Sequence, residues 1–349
     1  MAYTTIDDGS EYFHTQLYTG TGSELSVTNG ANAGDFKPDW IWIKQRNAGS
    51  TDHGMFDSSR GVTKNLKTNA SDAESSEAQS LKTFNTDGFT LGTSGDYNGS
   101  SDTHVAWQWK ANNGSRTTFT ESGNNPAGGH QANTTAGFSI VDYTGTGALG
   151  TIAHGLGVAP TVLIVKGRDD GHSWIVKHPG AGTEVLVLDA TDAGSSGSSE
   201  FNNTAPTSSV FTVNTAGGVN VDGEKYIAYC FAPIKGYSKF GSLIGNANAD
   251  GPYIYTGFKP AWIMYKVEST TDDWMIFDSK RIHSPTQHDY LEPSTADAEG
   301  FIAVDLLSNG FKITEASGAK FNASGANYIY MAFAESPFVS SEGVPTTAG

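Results

Sequence analysis

Leu66-Lys67-Thr68-Asn69-Ala70-Ser71-Asp72-Ala73 lines up without gaps on Leu186-Val187-Leu188-Asp189-Ala190-Thr191-Asp192-Ala193, and again on Leu291-Glu292-Pro293-Ser294-Thr295-Ala296-Asp297-Ala298. Other landmarks recur around this stretch in the same order. Upstream, Trp40–Lys44 matches Val162–Lys166 and Trp262–Lys266. Downstream come Phe89, Phe211 and Phe311, then Asn98-x-x-Ser101-x-x-His104, Asn220-x-x-Gly223-x-x-Tyr226 and Asn322-x-x-Gly325-x-x-Tyr328. The chain therefore writes one pattern three times. Lys44 to Lys166 is 122 residues and Lys166 to Lys266 is 100. Solenoid and propeller repeats run about 20–50 residues, whereas about 100 residues is the size of a domain.

Composition points to strands. The 349 residues include 42 glycines, well above the usual share of about 7%. Ser, Thr, Asn and Asp fill the gaps between short apolar runs, which is turn chemistry. The runs are rich in Ile, Val, Trp, Tyr and Phe, which suit a pleated, half-buried surface. Each copy reads as a Lys-ended strand (Asp39–Lys44, Thr161–Lys166, Ala261–Lys266), a short apolar run, a Phe-centred strand and a closing strand (Val105–Trp109, Ile227–Phe231, Ile329–Phe333). In the closing strand Val105, Trp107 and Trp109 alternate on one face, as do Ile227, Tyr229 and Phe231; these are the expected core. Ala70–Phe84 is expected to be a loop with one helical turn. The fold class is thus all-β, with three tandem homologous β-sandwich domains. The expected boundaries are 1–111, with an N-terminal attachment segment; 112–136, a flexible Gly/Asn/Thr-rich linker; 137–233; 234–335; and 336–349, an extended tail. The short segment Pro233–Phe240 brings the second and third domains closest together.

Charge excludes some functions. Lys and Arg number 21 against 37 Asp and Glu, a net charge of −16, whereas nucleic-acid binding needs a basic stripe. No run approaches 18 apolar residues, so no membrane insertion is expected. Met1–Asp8 lacks the basic and apolar regions of a secretory signal. The one cysteine, Cys230, lies in a closing strand and reads as a buried thiol.

The motifs that imitate chemistry read as structure. Gly145-Thr146-Gly147-Ala148-Leu149-Gly150 spells a dinucleotide fingerprint, but Thr151–Gly157 is no helix start on which a pyrophosphate would sit. Asn246-x-Asn248-x-Asp250-Gly251 resembles half a calcium loop, yet its twelfth position is Gly257 where a bidentate Glu is needed. His283 with His288, and His172 with His178, read as loop histidines rather than metal ligands. Gly194–Ser198 is no nucleophile elbow, and Cys230 has no basic neighbour in sequence to activate it. Asp169-Asp170 and Asp272-Asp273 sit in turns and read as solvated pairs, not a glycosidase couple. Asp72, Asp192 and Asp297, present in every copy, read as turn or cap formers. No catalytic, cofactor or metal residue is therefore assigned. Tyr12, Tyr97, Tyr253, Tyr255 and Tyr290 fall in or beside loops, where an exposed ring would stack on a sugar.

Several stretches resemble a recurrent module of tailed-bacteriophage virion proteins, common in marine phages. They are Tyr226–Pro233 with Lys235–Gly241, His154–Pro160, Ala249–Pro252, Thr256–Pro260, Leu306–Lys312, Tyr328–Glu335 and Pro337–Pro345. The likeness covers about 138–345 and is looser over the first copy. It implies a non-enzymatic virion structural protein, carries no catalytic residue across, and gives the virion surface, after assembly in the host cytoplasm, as its location. The role expected is a tail fibre or appendage contacting the host, with a capsid decoration or head-fibre protein as the alternative and a glycan-active depolymerase as the rival. The expected partners are other virion proteins, a host cell-surface glycan or protein, and further copies of the chain. Recognition is expected in loops that differ among copies: Asn47–Asp52 with Asp96–Thr103, Gly167–His172 with Gly194–Asn203, and Glu268–Asp273 with Ile282–Asp289.

Overall fold

The computed structural model describes residues 3–30, 36–284, 287–316 and 318–346. It is all-β, with 44% strand and 7% helix. Three large sheets repeat one central order. In the first, Phe13–Thr19 pairs with Thr103–Trp109, which pairs with Trp40–Gln45, then Gly54–Asp57 and Lys64–Lys67. In the second the same places are held by Phe138–Thr144, Lys225–Phe231, Val162–Gly167, Ile175–Lys177 and Glu184–Val187. In the third they are held by Ser238–Ile244, Asn327–Pro337, Phe258–Val267, Met275–Ser284 and Gln287–Leu291. All of these pairings are antiparallel, and the register repeats: Trp42 faces Trp107, Ile164 faces Tyr229, and Met264 faces Met331.

Each large sheet is covered on both faces. The Phe-centred strand and a partner (Leu25–Val27 with Phe89–Leu91, Gly150–Ala153 with Val210–Val213, Tyr253–Tyr255 with Gly310–Ile313) pack on the outer side. In the third unit this layer is continuous with the main sheet through Gly300–Leu307, so eight strands curl into a nearly closed barrel. Ala228 and Cys230 point into the outer core of the second unit, and Ala106 into that of the first.

The inner faces meet. Val105, Trp107 and Trp109, with Ile227, Tyr229 and Phe231, alternate onto one central core shared by all three sheets. Trp40 stacks on Tyr229 (centroids 4.3 Å apart), Trp109 meets Trp262 edge-on (5.4 Å), and Phe231 meets Phe333 (5.8 Å). Every unit thus touches the other two. The short 233–240 connection does not single out one pair, because aromatic area buried at the centre, not linker length, sets the distance.

Three expectations for the connecting segments are corrected. The stretch 112–136 contains strands Thr117–Phe119 and Ala127–Asn133, the latter paired along its length with Phe138–Thr144; it is an edge of the second sheet rather than a flexible linker. Small polar residues carry no burial signal, but their backbone amides can still complete a ladder. The tail is not extended: Val339 bridges Pro345, and Ser341 N donates to Asp7 Oδ1 (2.6 Å), tying the C-terminal segment to the N-terminal one. Residues 347–349 of that tail, 1–2 of the N-terminal segment and 285–286 of a candidate loop lie outside the described residues. A helical turn of the kind expected in Ala70–Phe84 forms in the second copy, Ser198–Phe201, while the first copy has strands Ser75–Ser76 and Leu81–Phe84.

Candidate functional site: junctions and an exposed tyrosine face

The repeated polar residues sit where units meet. Glu74 N donates to Arg168 O (2.8 Å), Gly194 N to Glu268 O (2.8 Å) and Glu299 N to Arg46 O (3.0 Å). These three bonds join unit one to two, two to three, and three back to one. The contacts are head-to-tail and the rotation closes, so the chain forms a ring. At two junctions a carboxylate sits between two arginines. Glu74 takes Arg60 of its own unit (3.1 Å) and Arg168 of the next (3.0 Å). Glu299 takes Arg281 of its own unit (3.0 Å) and Arg46 of the next (2.7 Å). Burial alone would raise the Glu74 carboxyl, but Arg168 and Arg60 hold it below its ordinary value. The remaining junction has Gly194 and Glu268 at these places.

The Asp-Ala segment belongs to the same seams. Lys166 Nζ donates to Ser71 O (2.9 Å) and Lys266 Nζ to Thr191 O (3.3 Å), each reaching the preceding unit. Lys44 is set against Asp297 of the third unit, and Gly49 packs on that aspartate. Burial pulls all three ammonium groups down to about 8, and neighbouring carboxylates oppose it. The recurring aspartates therefore mark inter-unit seams as well as turns. The indoles of Trp174 and Trp274 reinforce them, donating to Lys67 O and Val187 O (2.8 Å each).

Sequence reasoning missed a second repeated constellation, Asp57-Ser58-Ser59-Arg60 and Asp278-Ser279-Lys280-Arg281. Trp107 Nε1 donates to Asp278 Oδ2 (2.9 Å), while the Arg281 guanidinium lies 5.2 Å from the Trp107 ring centre. Tyr229 OH donates to Asp57 Oδ2 (2.8 Å). Both aspartates and both arginines have fully buried side chains. The second copy has His178-Pro179-Gly180-Ala181 instead; His178 Nδ1 accepts from Gly180 N (3.1 Å), leaving Nε2 to donate to Tyr330 O (3.0 Å). Burial drives that imidazole down to about 3. The signal was present in the sequence as Asp-Ser-x-Arg in two copies, but its partners lie in other units.

The Gly145–Gly150 and 246–251 imitations fall into place as turns. Thr21 N, Thr146 N and Asn246 N each donate at 2.8 Å to the side-chain oxygens of Asn98, Asn220 and Asn322. Those asparagines explain the repeated Asn-x-x motif, and Thr146 lies within the Gly145–Gly150 turn. In the loop at 246–251, Asn246 Oδ1 accepts from Asn248 N and Asn248 Oδ1 from Asp250 N, while Asp250 pairs with Lys312. His283 and His288 lie on strands Met275–Ser284 and Gln287–Leu291 rather than in a loop; His283 stacks on Phe301, whereas His288 Nδ1 lies 3.2 Å from Asp278 O. Asp272 and Asp273 face Lys320 (3.9 and 3.5 Å). Burial pushes the Cys230 thiol well up.

The loops expected to vary for recognition are partly committed to the seams. Asn47–Asp52 adjoins Asp297–Glu299, Gly167–His172 adjoins Ser71–Glu74, and Glu268–Asp273 adjoins Thr191–Gly194. Asn47 also meets the 96–103 loop, its Oδ1 accepting from Thr103 N (3.2 Å).

Of the five tyrosines, Tyr97 is buried and Tyr12 and Tyr290 are half-buried, while Tyr253 and Tyr255 are each 47% exposed. They alternate with buried Ile254 on one strand and so share its outer face. Tyr253 leans over Gly310, where a Cβ would approach its ring to 3.1 Å, and its hydroxyl donates to Asn309 Oδ1 (2.6 Å). The side chain therefore lies along the sheet. Lys239 Nζ donates to Tyr255 O (2.5 Å) and stands 5.6 Å from the Tyr255 ring centre. By register, Ser26 and Thr151 take the place of Tyr253 in the other two units.

These features define an all-β ring of three similarly ordered sheets, closed by polar seams. The chain belongs to the family described as a domain of unknown function, DUF7483, whose model matches residues 8–337. That match runs through all three units. No curated protein matches the chain.

Proposed function

We propose that this chain is a non-enzymatic virion surface protein of a tailed phage, built of three tandem homologous β-sandwich units, and that it serves as a tail fibre or appendage contacting the host. The observation that carries the reading is a division of labour. Residues that recur in the copies lie at seams and in the core, whereas among the described residues an exposed aromatic strand face is found in the third unit. That is the pattern of a scaffold that displays a surface. The resemblance at Tyr226–Gly241 and Tyr328–Pro345 supplies the virion setting. Tyr253 and Tyr255 are the contact residues of this reading, with a cell-surface glycan as ligand. Rings lying along a sheet offer faces for sugar C–H groups, and Asn309, Lys239 and Lys312 stand nearby for hydroxyls. Stacking contacts of this kind are individually weak and gain from several copies per particle.

The test is immunogold labelling of purified particles together with competition of adsorption by the free chain. Gold on tails, with competition lost in Tyr253→Ser/Tyr255→Thr, is the expected result. Gold on heads would replace the appendage with a decoration role. Release of reducing sugar from host polysaccharide, abolished by one carboxylate substitution, would replace both with a depolymerase.

A further inference from the structure

The second unit holds a side-chain cluster beside its seam with the first unit and apart from the tyrosine face. Asp170, His172 and Glu224 converge at the rim of the second sheet, with one ligand-type atom of each within 4.8 Å of the others. His172 Nε2 lies 3.6 Å from Asp170 Oδ2 and 3.9 Å from Glu224 Oε2. Asp170 and Glu224 come from different connections, joined only by the fold.

We propose that these three side chains form a zinc site. Around an ion bonded at about 2.0–2.2 Å, tetrahedral ligand atoms stand roughly 3.3–3.6 Å apart. The two separations from His172 lie at or within a few tenths of an ångström of that range, and the two carboxylates, within 4.8 Å of each other, close the rest by side-chain rotation. The surroundings hold the atoms in place. The His172 ring packs over Gly217, where any Cβ would come within 2.5 Å of ring Cε1. Asp170 Oδ1 accepts from Gly171 N (2.5 Å), which leaves Oδ2 for the cluster. Glu224 Oε2 lies 3.1 Å from the Tyr226 hydroxyl, whose one hydrogen is shared between it and Gly217 O (2.7 Å) while Val221 N donates to the same oxygen (2.8 Å). A neighbour that orients a ligand in this way is the usual companion of a metal site. One imidazole with two carboxylates suits Zn²⁺ better than Ca²⁺ or Mg²⁺, which prefer all-oxygen shells. Three protein ligands on an exposed rim leave a fourth position for water or for an oxygen ligand from outside.

The triad belongs to one copy. Position 224 corresponds to Asp102 and Ala326, which directly precede the closing strands, and the place two before Trp174 is Thr51 in the first copy and Asp272 in the third. Neither of those copies supplies an imidazole there, so the cluster is not part of the repeated scaffold. It also stands apart from Tyr253 and Tyr255, and the proposal does not depend on the virion reading.

Titration calorimetry of the full chain with zinc chloride at pH 7.5 tests it. The expected result is one zinc per chain, with His172→Ala and Glu224→Gln each weakening binding at least tenfold while the melting temperature without metal stays within a degree or two. Cobalt in place of zinc should give the intense visible bands of a four-coordinate ion, absent in His172→Ala. An absence of heat up to millimolar zinc would overturn the site. So would unchanged binding in His172→Ala, or equal binding of calcium, since either would make the ion an adventitious guest of acidic surface and leave His172 simply paired with its carboxylates.

Discussion

The three buried lysines have the most readable consequences at the scale of single residues. Each donates to the carbonyl of the residue after it, and two of them also reach into the preceding unit. With folded values near 8 against an ordinary 10.5, folded and unfolded lysines are both charged below pH 8. Between about 8 and 10.5 the unfolded chain holds protons that the folded chain has released, so this contribution to stability rises with pH. The stability of wild type relative to Lys166→Met should therefore increase from pH 7.5 to 9.5 in chemical denaturation; a difference independent of pH would refute the assignment. His178 works in the opposite range. Its folded value near 3 lies below the ordinary 6.5, so its contribution is complete above pH 6.5 and is lost as pH falls toward 3. The buried ion pairs give a sharper test. Arg281→Met leaves Asp278 buried with only Trp107 and backbone amides as partners, and should cost about 3–5 kcal/mol. Truncating Trp107 or Tyr229 to Ala should cost about 3–5 kcal/mol, and Met331 to Ala about 2–5 kcal/mol, because each is buried in the shared core.

Single elements show what was legible in the sequence and what was not. The inner face of the closing strand was legible, because alternation at Val105, Trp107 and Trp109 marks one side of a strand; the burial of Ala106 and Gln108 under the outer layer was not. The Lys-ended strand was half legible. Its place in the repeat was plain, but the surroundings of its lysine were not. Burial of that ammonium depends on carbonyls about 75–95 residues away, which no local pattern encodes. The Asp-Ala motif was found but read as a turn for the same reason. Strand Ala127–Asn133 was missed because Ala-Gly-Gly-His-Gln-Ala-Asn has little β propensity, and pairing with a strong neighbour overrides that weak preference. The tyrosines were legible as candidates, and only packing reduced five to two. Removing part of Asn47–Asp52 should lower stability, because that loop borders the seam with the third unit. Tyr253→Ser/Tyr255→Thr should leave the melting temperature within a degree or two, as surface changes usually fall within about 0.5 kcal/mol. Equal destabilisation by both changes would contradict the split between seam and display surface.

Across the whole molecule, three sheets share one aromatic centre and three head-to-tail seams. The terminal segments help to close the ring, since the Tyr3 hydroxyl donates to Gly257 O (3.0 Å) and Asp7 binds Ser341. A unit cut from the ring would expose its inner face, including Ile227, Tyr229 and Phe231 in the second. Exposed aromatic area of that extent marks an interface, so an isolated unit should aggregate or stay unfolded. The ring should instead unfold as one body, because losing any unit uncovers the faces of the other two. Differential scanning calorimetry of the intact chain tests this most directly. The account predicts a single transition, with calorimetric and van't Hoff enthalpies in agreement and the midpoint lowered as a whole by Arg281→Met. Three separable transitions, only one of them shifted by that substitution, would show independent domains on a string and would contradict the ring.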